Sequence, residues 1–452
     1  MKRIIITSAA VAMLAAVNVQ AQDNAGGIFD NYLTDNTLRI DYIFAGDATS
    51  QEIYLDEMSA SEGWAGRRVN MDKVPVAGNG CITLRDSASS KVLYRQTFST
   101  LFQEWQTTEE ATRIRKSFEN VYLLPMPKKA ATVTVELFSH RGVKNASFTH
   151  PVDPSDILIR KMTPNPAPHK YLHKSGSPED CIDIAIVAEG YTAKEARLFY
   201  KDARAAVDAL LEHEPFGKYA GRLNFVAVAL PSEESGVTVP LENDWKRTPL
   251  SSGFSTFYMD RYLTTLRLKD LADRLQGIAY EHIIILANTD TYGGGGIYNS
   301  YTLTTAHHSG FRPVVVHEFG HSFAGLADEY YYDDMYSPYY FPDVEPWEQN
   351  ITTMADFDSK WADMMPANAA KDEEGHYLPT PPVDDSAMWK SIAEGADTDS
   401  IVGVYEGGGY LSKGVFRPYP DCRMKSNVGP MFCPVCQRAI ERIILFGLEE
   451  SE

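Results

Sequence analysis

The chain has 452 residues, with 42 Lys and Arg against 61 Asp and Glu, a formal charge of −19. So acidic a chain is a poor match for a phosphate backbone, which excludes nucleic acid as the main partner; 44% apolar and 23% charged residues exclude a disordered chain. The length exceeds one hydrophobic core and predicts two or three domains, and five cysteines are too few for a disulfide scaffold.

Residues 1–21 read as a secretory signal peptide. Lys2 and Arg3 precede an apolar stretch, and Val19-Gln20-Ala21 is a small-x-small cleavage site. The expectation is a secreted or periplasmic protein cut after Ala21. No cysteine lies near that cut, so no lipid-modified N-terminus is expected. No later segment reaches the ~18 uninterrupted apolar residues of a membrane span. Export would also permit disulfides.

Residues 22–154 follow a period of two. Leu38, Ile40 and Tyr42 alternate with Arg39 and Asp41, and Val133, Val135 and Leu137 alternate with Thr132, Thr134 and Glu136. Residues 91–95 give another short strand. This pattern predicts an antiparallel β-sandwich with an accessory role. Residues 155–179 hold four prolines and read as a linker with little regular structure.

From residue 180 strands alternate with helices, which implies an α/β sheet core. The predicted order is a strand at 181–188, a helix at 192–213 with Thr192 as N-cap, a strand at 223–230, a helix at 260–275 and a strand at 282–287. The glycine tract 293–296 then leads into an expected edge strand at 297–305. A phosphate-loop reading of these glycines fails because no Gly-Lys-Ser/Thr follows.

After the Gly310 turn, Pro313 suits the first turn of a helix, and the run around 314–324 is apolar on most sides, so the helix reads as buried. It carries His317, Glu318 and His321 on an otherwise apolar sequence. Unpartnered, these polar groups would each cost a few kcal/mol, and a metal supplies the partner. Residues i and i+4 share a helix face, so both imidazoles can reach one Zn²⁺ at ~2.0–2.1 Å. Glu318 sits beside the first ligand as a catalytic base for a metal-activated water. A continued helix, rising ~1.5 Å per residue, would carry Asp328 about 10 Å beyond His321. The chain must therefore turn back, and Gly325 permits a left-handed turn there. Asp328 is the expected third ligand; Glu329 and the more distant Glu345 and Glu348 stay open as alternatives.

The segment HEFGHSFAGLADEY, residues 317–330, resembles the signature of the immunoglobulin A peptidase family of zinc endopeptidases, itself related to the metzincins. It departs from the metzincin pattern by one extra residue before the glycine and the acidic group. The resemblance implies a metzincin-like zincin domain of mixed α/β character over 180–452, behind an N-terminal β-domain. It also implies one catalytic zinc and hydrolysis of polypeptide substrates. Its methionine turn maps onto Met424, ahead of a helix over 432–446. Cys422, Cys433 and Cys436 flank that turn, so a disulfide from Cys422 to Cys433 or Cys436 is expected to pin it to the last helix. A four-cysteine zinc site fails on count. A thiol oxidoreductase built on Cys433-Pro-Val-Cys436 lacks a strand before the motif.

For the Tyr- and Asp-rich stretch 330–340 three readings remain: a packed loop, a cleft wall with an oxyanion-binding tyrosine, or a calcium site through Asp333 and Asp334. The competing functional class is an adhesin with a merely structural zinc domain. An intact Glu318 argues against it.

Overall fold

A computed structural model describes residues 27–333 and 339–449 of the chain. The expected signal peptide and Asp334 lie outside these residues.

A short helix α1 (Ile28–Tyr32) leads into β1 (Leu33–Asp47), which pairs antiparallel with β2 (Ser50–Glu62). Strands β3 (Gly80–Asp86) and β4 (Val92–Phe98), helix α2 (Leu101–Trp105), and strands β5 (Lys116–Pro127), β6 (Ala131–Phe138) and β7 (Lys144–Val152) follow. With the two-residue β8 (Arg160–Lys161) they form two four-stranded sheets, ordered β5-β1-β2-β8 and β4-β3-β6-β7. The period of two explains the packing. Leu38, Ile40, Tyr42 and Phe44 on β1 are fully buried, as are Val133, Val135 and Leu137 on β6. Phe44 meets Phe98 across the sandwich with ring centroids 6.2 Å apart, and the Tyr42 hydroxyl lies 2.6 Å from His150 Nε2.

The second sheet system is parallel at its centre. Its order is β13-β14-β12-β10-β11-β9. The strands are β9 (His169–His173), β10 (Ile182–Glu189), β11 (Leu223–Val228), β12 (His282–Ala287), β13 (Gly294–Ile297) and β14 (Tyr301–Thr305). Helix α3 (Ala196–Leu211) follows β10. It opens where Thr192 N and Oγ1 both donate to Glu195 Oε2, at 2.8 and 2.7 Å.

Three expectations are corrected here. Residues 155–179 do contain strands: β8 extends the sandwich, and β9 pairs antiparallel with β11. Of the helix expected at 260–275 only α4 (Leu268–Arg274) forms. Tyr262 and Thr264 instead pair through their backbones with Gly294 and Gly253, a tertiary contact that overrides local propensity. Residues 297–305 are not the sheet edge. They turn at Asn299, and β14 is buried along its whole length.

The edge strand is the glycine tract itself, because no side chain fits there. A Cβ on Gly296 would sit 2.2 Å from Glu318 O, and one on Gly295 2.7 Å from the Tyr262 ring. Gly296→Ala is expected to destabilise the protein by about 1–3 kcal/mol, read as a lowered midpoint of denaturant unfolding.

The sandwich and the second sheet are locked together. Arg39 pairs with Asp41 at 2.7 Å and with Asp273 on α4 at 2.5 Å. Asn299 Nδ2 donates to Thr97 O at 2.7 Å. Their interface holds an open cavity of about 560 Å³ that reaches Glu281. Burial, with Asp183 nearby, pushes the Glu281 carboxyl up to about 8. A folded-state value above the unfolded one, ~4.3, means that ionisation opposes folding. The contribution is intact below about pH 4 and is lost as pH rises toward 8. Glu281→Gln is expected to flatten the fall in stability across that window, measured as thermal midpoints at pH 5 and pH 8.

Helix α5 (Phe311–Ala324) lies against β13 and β14, with Val315, Val316, Phe319 and Phe323 fully buried. The remaining elements are β15 (Tyr331–Tyr332), α6 (Asp385–Ala393), β16 (Tyr405–Gly408), β17 (Tyr410–Arg417) and α7 (Pro434–Leu448). Strands β15, β17 and β16 form a small sheet beyond the C-terminal end of α5. Among the described residues, no helix is long and apolar enough to cross a membrane.

Candidate metal centre

Helical spacing puts His317 and His321 on one face of α5, with their Nε2 atoms 3.1 Å apart. Their Nδ1 atoms donate to backbone carbonyls, His317 to Arg423 O at 2.9 Å and His321 to Leu326 O at 2.5 Å. An imidazole that donates from Nδ1 keeps its lone pair on Nε2. Both lone pairs therefore face one point.

Gly325 ends the helix in the left-handed region, at φ 62° and ψ 34°. The chain then reverses, and Asp328 Oδ1 arrives 3.0 Å from His317 Nε2 and 3.2 Å from His321 Nε2. Asp328 is 7% exposed, and its Oδ1 has no hydrogen-bond partner. Two lone pairs and a carboxylate oxygen at this separation repel unless a cation sits among them. The donor set of two imidazole nitrogens and one carboxylate oxygen fits a divalent transition metal with coordination positions left open. Electrostatics repeat the demand for positive charge. Burial acts to lower the His321 pKa, yet the Asp328 carboxylate overrides it and raises it to about 9.

Glu318 lies beside this group without joining it. Its carboxylate faces β13, where a Cβ on Gly294 would come within 2.8 Å of Oε1. Burial raises its pKa above the usual carboxylate range, against the pull of His317 and His321. The site opens into a cleft of about 650 Å³. Glu104 and His140 from the sandwich line it, together with Arg261, Tyr262, Tyr330, Tyr340, Trp347 and Tyr410. The sandwich thus contributes directly to the cleft.

Of the open alternatives to Asp328, none joins the two imidazoles. Glu329 is buried on the far side, against Cys422 and Cys436. Glu345 Oε2 accepts from Asp356 N at 2.9 Å, and Glu348 lines the cleft beside the Tyr340 hydroxyl. Met424 is buried under α5. Its carbonyl accepts from Glu329 N at 2.9 Å, and its Sδ would lie 2.9 Å from a Cβ on Gly320. Asp333 is exposed, and its expected calcium partner Asp334 lies outside the described residues.

The expected disulfide is not formed. Cys422, Cys433 and Cys436 are free thiols. Their sulfurs converge on Glu329 instead of pairing, and Cys433 Sγ accepts from Cys436 N at 3.5 Å as the N-cap of α7. Full burial also removes the accessibility a thiol oxidoreductase needs.

One group at this site has no sequence signal. Tyr410, 82 positions from Asp328, donates its hydroxyl to Asp328 Oδ2 at 2.5 Å. Such outer-shell bonds orient a ligand. Tyr410→Phe is expected to weaken metal affinity by ~10–100-fold, measured by competition with a chromophoric chelator.

The family model described as IgA Peptidase M64 matches residues 171–394 and 384–444, and the one described as Peptidase M64 N-terminus matches residues 28–149. The chain belongs to the IgA peptidase M64 family. As an M64 peptidase it acts on polypeptides, and the two family models cover the sandwich and the part that bears the candidate metal-ligating residues. No curated protein matches the chain.

Proposed function

We propose that this M64 peptidase is an exported zinc-dependent endopeptidase of zincin type, with His317, His321 and Asp328 as zinc ligands and Glu318 as general base. The observation that carries this reading is the orphaned Asp328 Oδ1, buried between two inward-facing imidazole nitrogens. A zinc ion held there would supply Lewis acidity to a scissile carbonyl and acidify a water.

The chain's own groups do the rest. Glu318 takes the proton of the attacking water and passes it to the leaving amine. Its raised pKa suits a group that must both accept and return a proton. The edge strand β13 offers backbone to an extended substrate, although Tyr262 already pairs at Gly294, so the free edge is short. Tyr330 and Tyr340 line the substrate side of the cleft. Met424 forms the floor beneath α5 in the manner of a methionine turn. The signal-peptide reading makes the substrates extracellular polypeptides; host immunoglobulin and glycoproteins are the candidates to be compared. The test is cleavage of a panel containing immunoglobulin A, mucin and casein. Chelation is expected to abolish cleavage and added zinc to restore it. Cleavage unaffected by chelation overturns the reading.

A further inference from the structure

A second group of metal-ligating side chains lies behind the first. Cys422, Cys433, Cys436 and Glu329 each direct one donor atom to a common point, all within 4.8 Å of one another, and all four residues are fully buried. Glu329 Oε2 is 3.1 Å from Cys422 Sγ, and Oε1 is 3.1 Å from Cys436 Sγ. Asn350 Nδ2 donates to the same Oε1 at 2.9 Å, while no cationic side chain pairs with Glu329 among the described residues.

We infer that Cys422, Cys433, Cys436 and Glu329 hold a structural zinc ion, distinct from the one assigned to the cleft. Four observations converge on it. The Cys433-Pro-Val-Cys436 spacing at a helix start is that of a zinc knuckle. Three sulfurs and one oxygen make the four-coordinate closed set of structural sites, where Zn–S of ~2.3 Å gives tetrahedral edges near 3.8 Å. Backbone N–H groups already point at the sulfurs, from Met424 to Cys422 at 3.4 Å and from Cys436 to Cys433 at 3.5 Å. These groups and the N-terminus of α7 offset the negative charge left when the thiols and the carboxyl release their protons to solvent. Finally, a buried carboxyl among three thiols has no role in the cleft.

The consequence is mechanical. Glu329 follows Asp328, Cys422 precedes Met424 by two positions, and Cys433 and Cys436 open α7. One ion would bind the chain that delivers Asp328, the turn beneath α5 and the last helix into a single rigid unit.

Metal analysis of the reduced full chain tests this, with X-ray absorption on the His317→Ala variant, whose cleft site is disabled. The expected stoichiometry is two zinc ions per chain, falling to one in His317→Ala, with sulfur scattering at ~2.3 Å in the ion that remains. Cys433→Ser with Cys436→Ser should lose that sulfur signal. Zinc with only nitrogen and oxygen neighbours in the wild type would overturn the inference and leave the cleft assignment standing. So would three free thiols or a disulfide in a His317→Ala variant devoid of metal. One sulfur-bound zinc in both proteins would support it and remove the cleft assignment instead.

Discussion

Replacing Glu318 by Gln is expected to leave zinc content and fold unchanged while lowering kcat by about 10²–10⁴-fold, the range of a lost general acid–base group. The amide keeps the shape of the carboxylate, and Glu318 is not one of the three residues of the donor group, so metal binding has no reason to fall. It cannot accept the water's proton. Single-turnover cleavage with metal analysis on the same sample reads both halves, and normal turnover in the variant would remove Glu318 from the mechanism. The carboxylate's position over β13 fits this role: the space for it exists because Gly294 carries no side chain.

The second large effect is loss of metal on Asp328→Ala. Without the carboxylate the two imidazoles offer only two donors, and the charge that draws a cation into the pocket is gone. One zinc equivalent and all cleavage should disappear. The control is Glu348→Ala, which removes a carboxylate from the same cleft without touching the imidazoles. Zinc retained in Asp328→Ala but lost in Glu348→Ala would reassign the third ligand. A folded variant is expected, since Asp328 sits in a reversal held independently by Gly325 and by Asn350, whose side chain bonds Ala327 on both its N–H, at 2.8 Å, and its carbonyl, at 2.9 Å.

Much of this site is local, and so it is legible in the residues. His317 and His321 share a face because four positions make about one turn of helix. The required reversal before Asp328 follows from the same rise per residue, and Gly325 is the residue that adopts it. Thr192 with Glu195, and the alternation along β1 and β6, are likewise short-range statements in which each residue's neighbours in sequence are its neighbours in space.

What escaped depends on distant chain. Backbone pairing of Tyr262 with Gly294 displaced a helix that residues 260–275 favour by periodicity. The glycine tract reads as a flexible rim in isolation. It is a strand because α5 crowds its face. Tyr410 and the sandwich residue Glu104 reach the cleft along paths that no local pattern encodes. The cysteine count excludes a four-cysteine site, and the carboxyl that joins the three thiols, Glu329, lies 93 positions from the nearest of them. The helix face that presents two imidazoles and the turn that returns a carboxylate are legible in the residues alone, since both rest on dihedral geometry within a few positions. Which distant groups close around them is set by how two sheets and the last helix pack against α5, and no local stretch of chain encodes that packing.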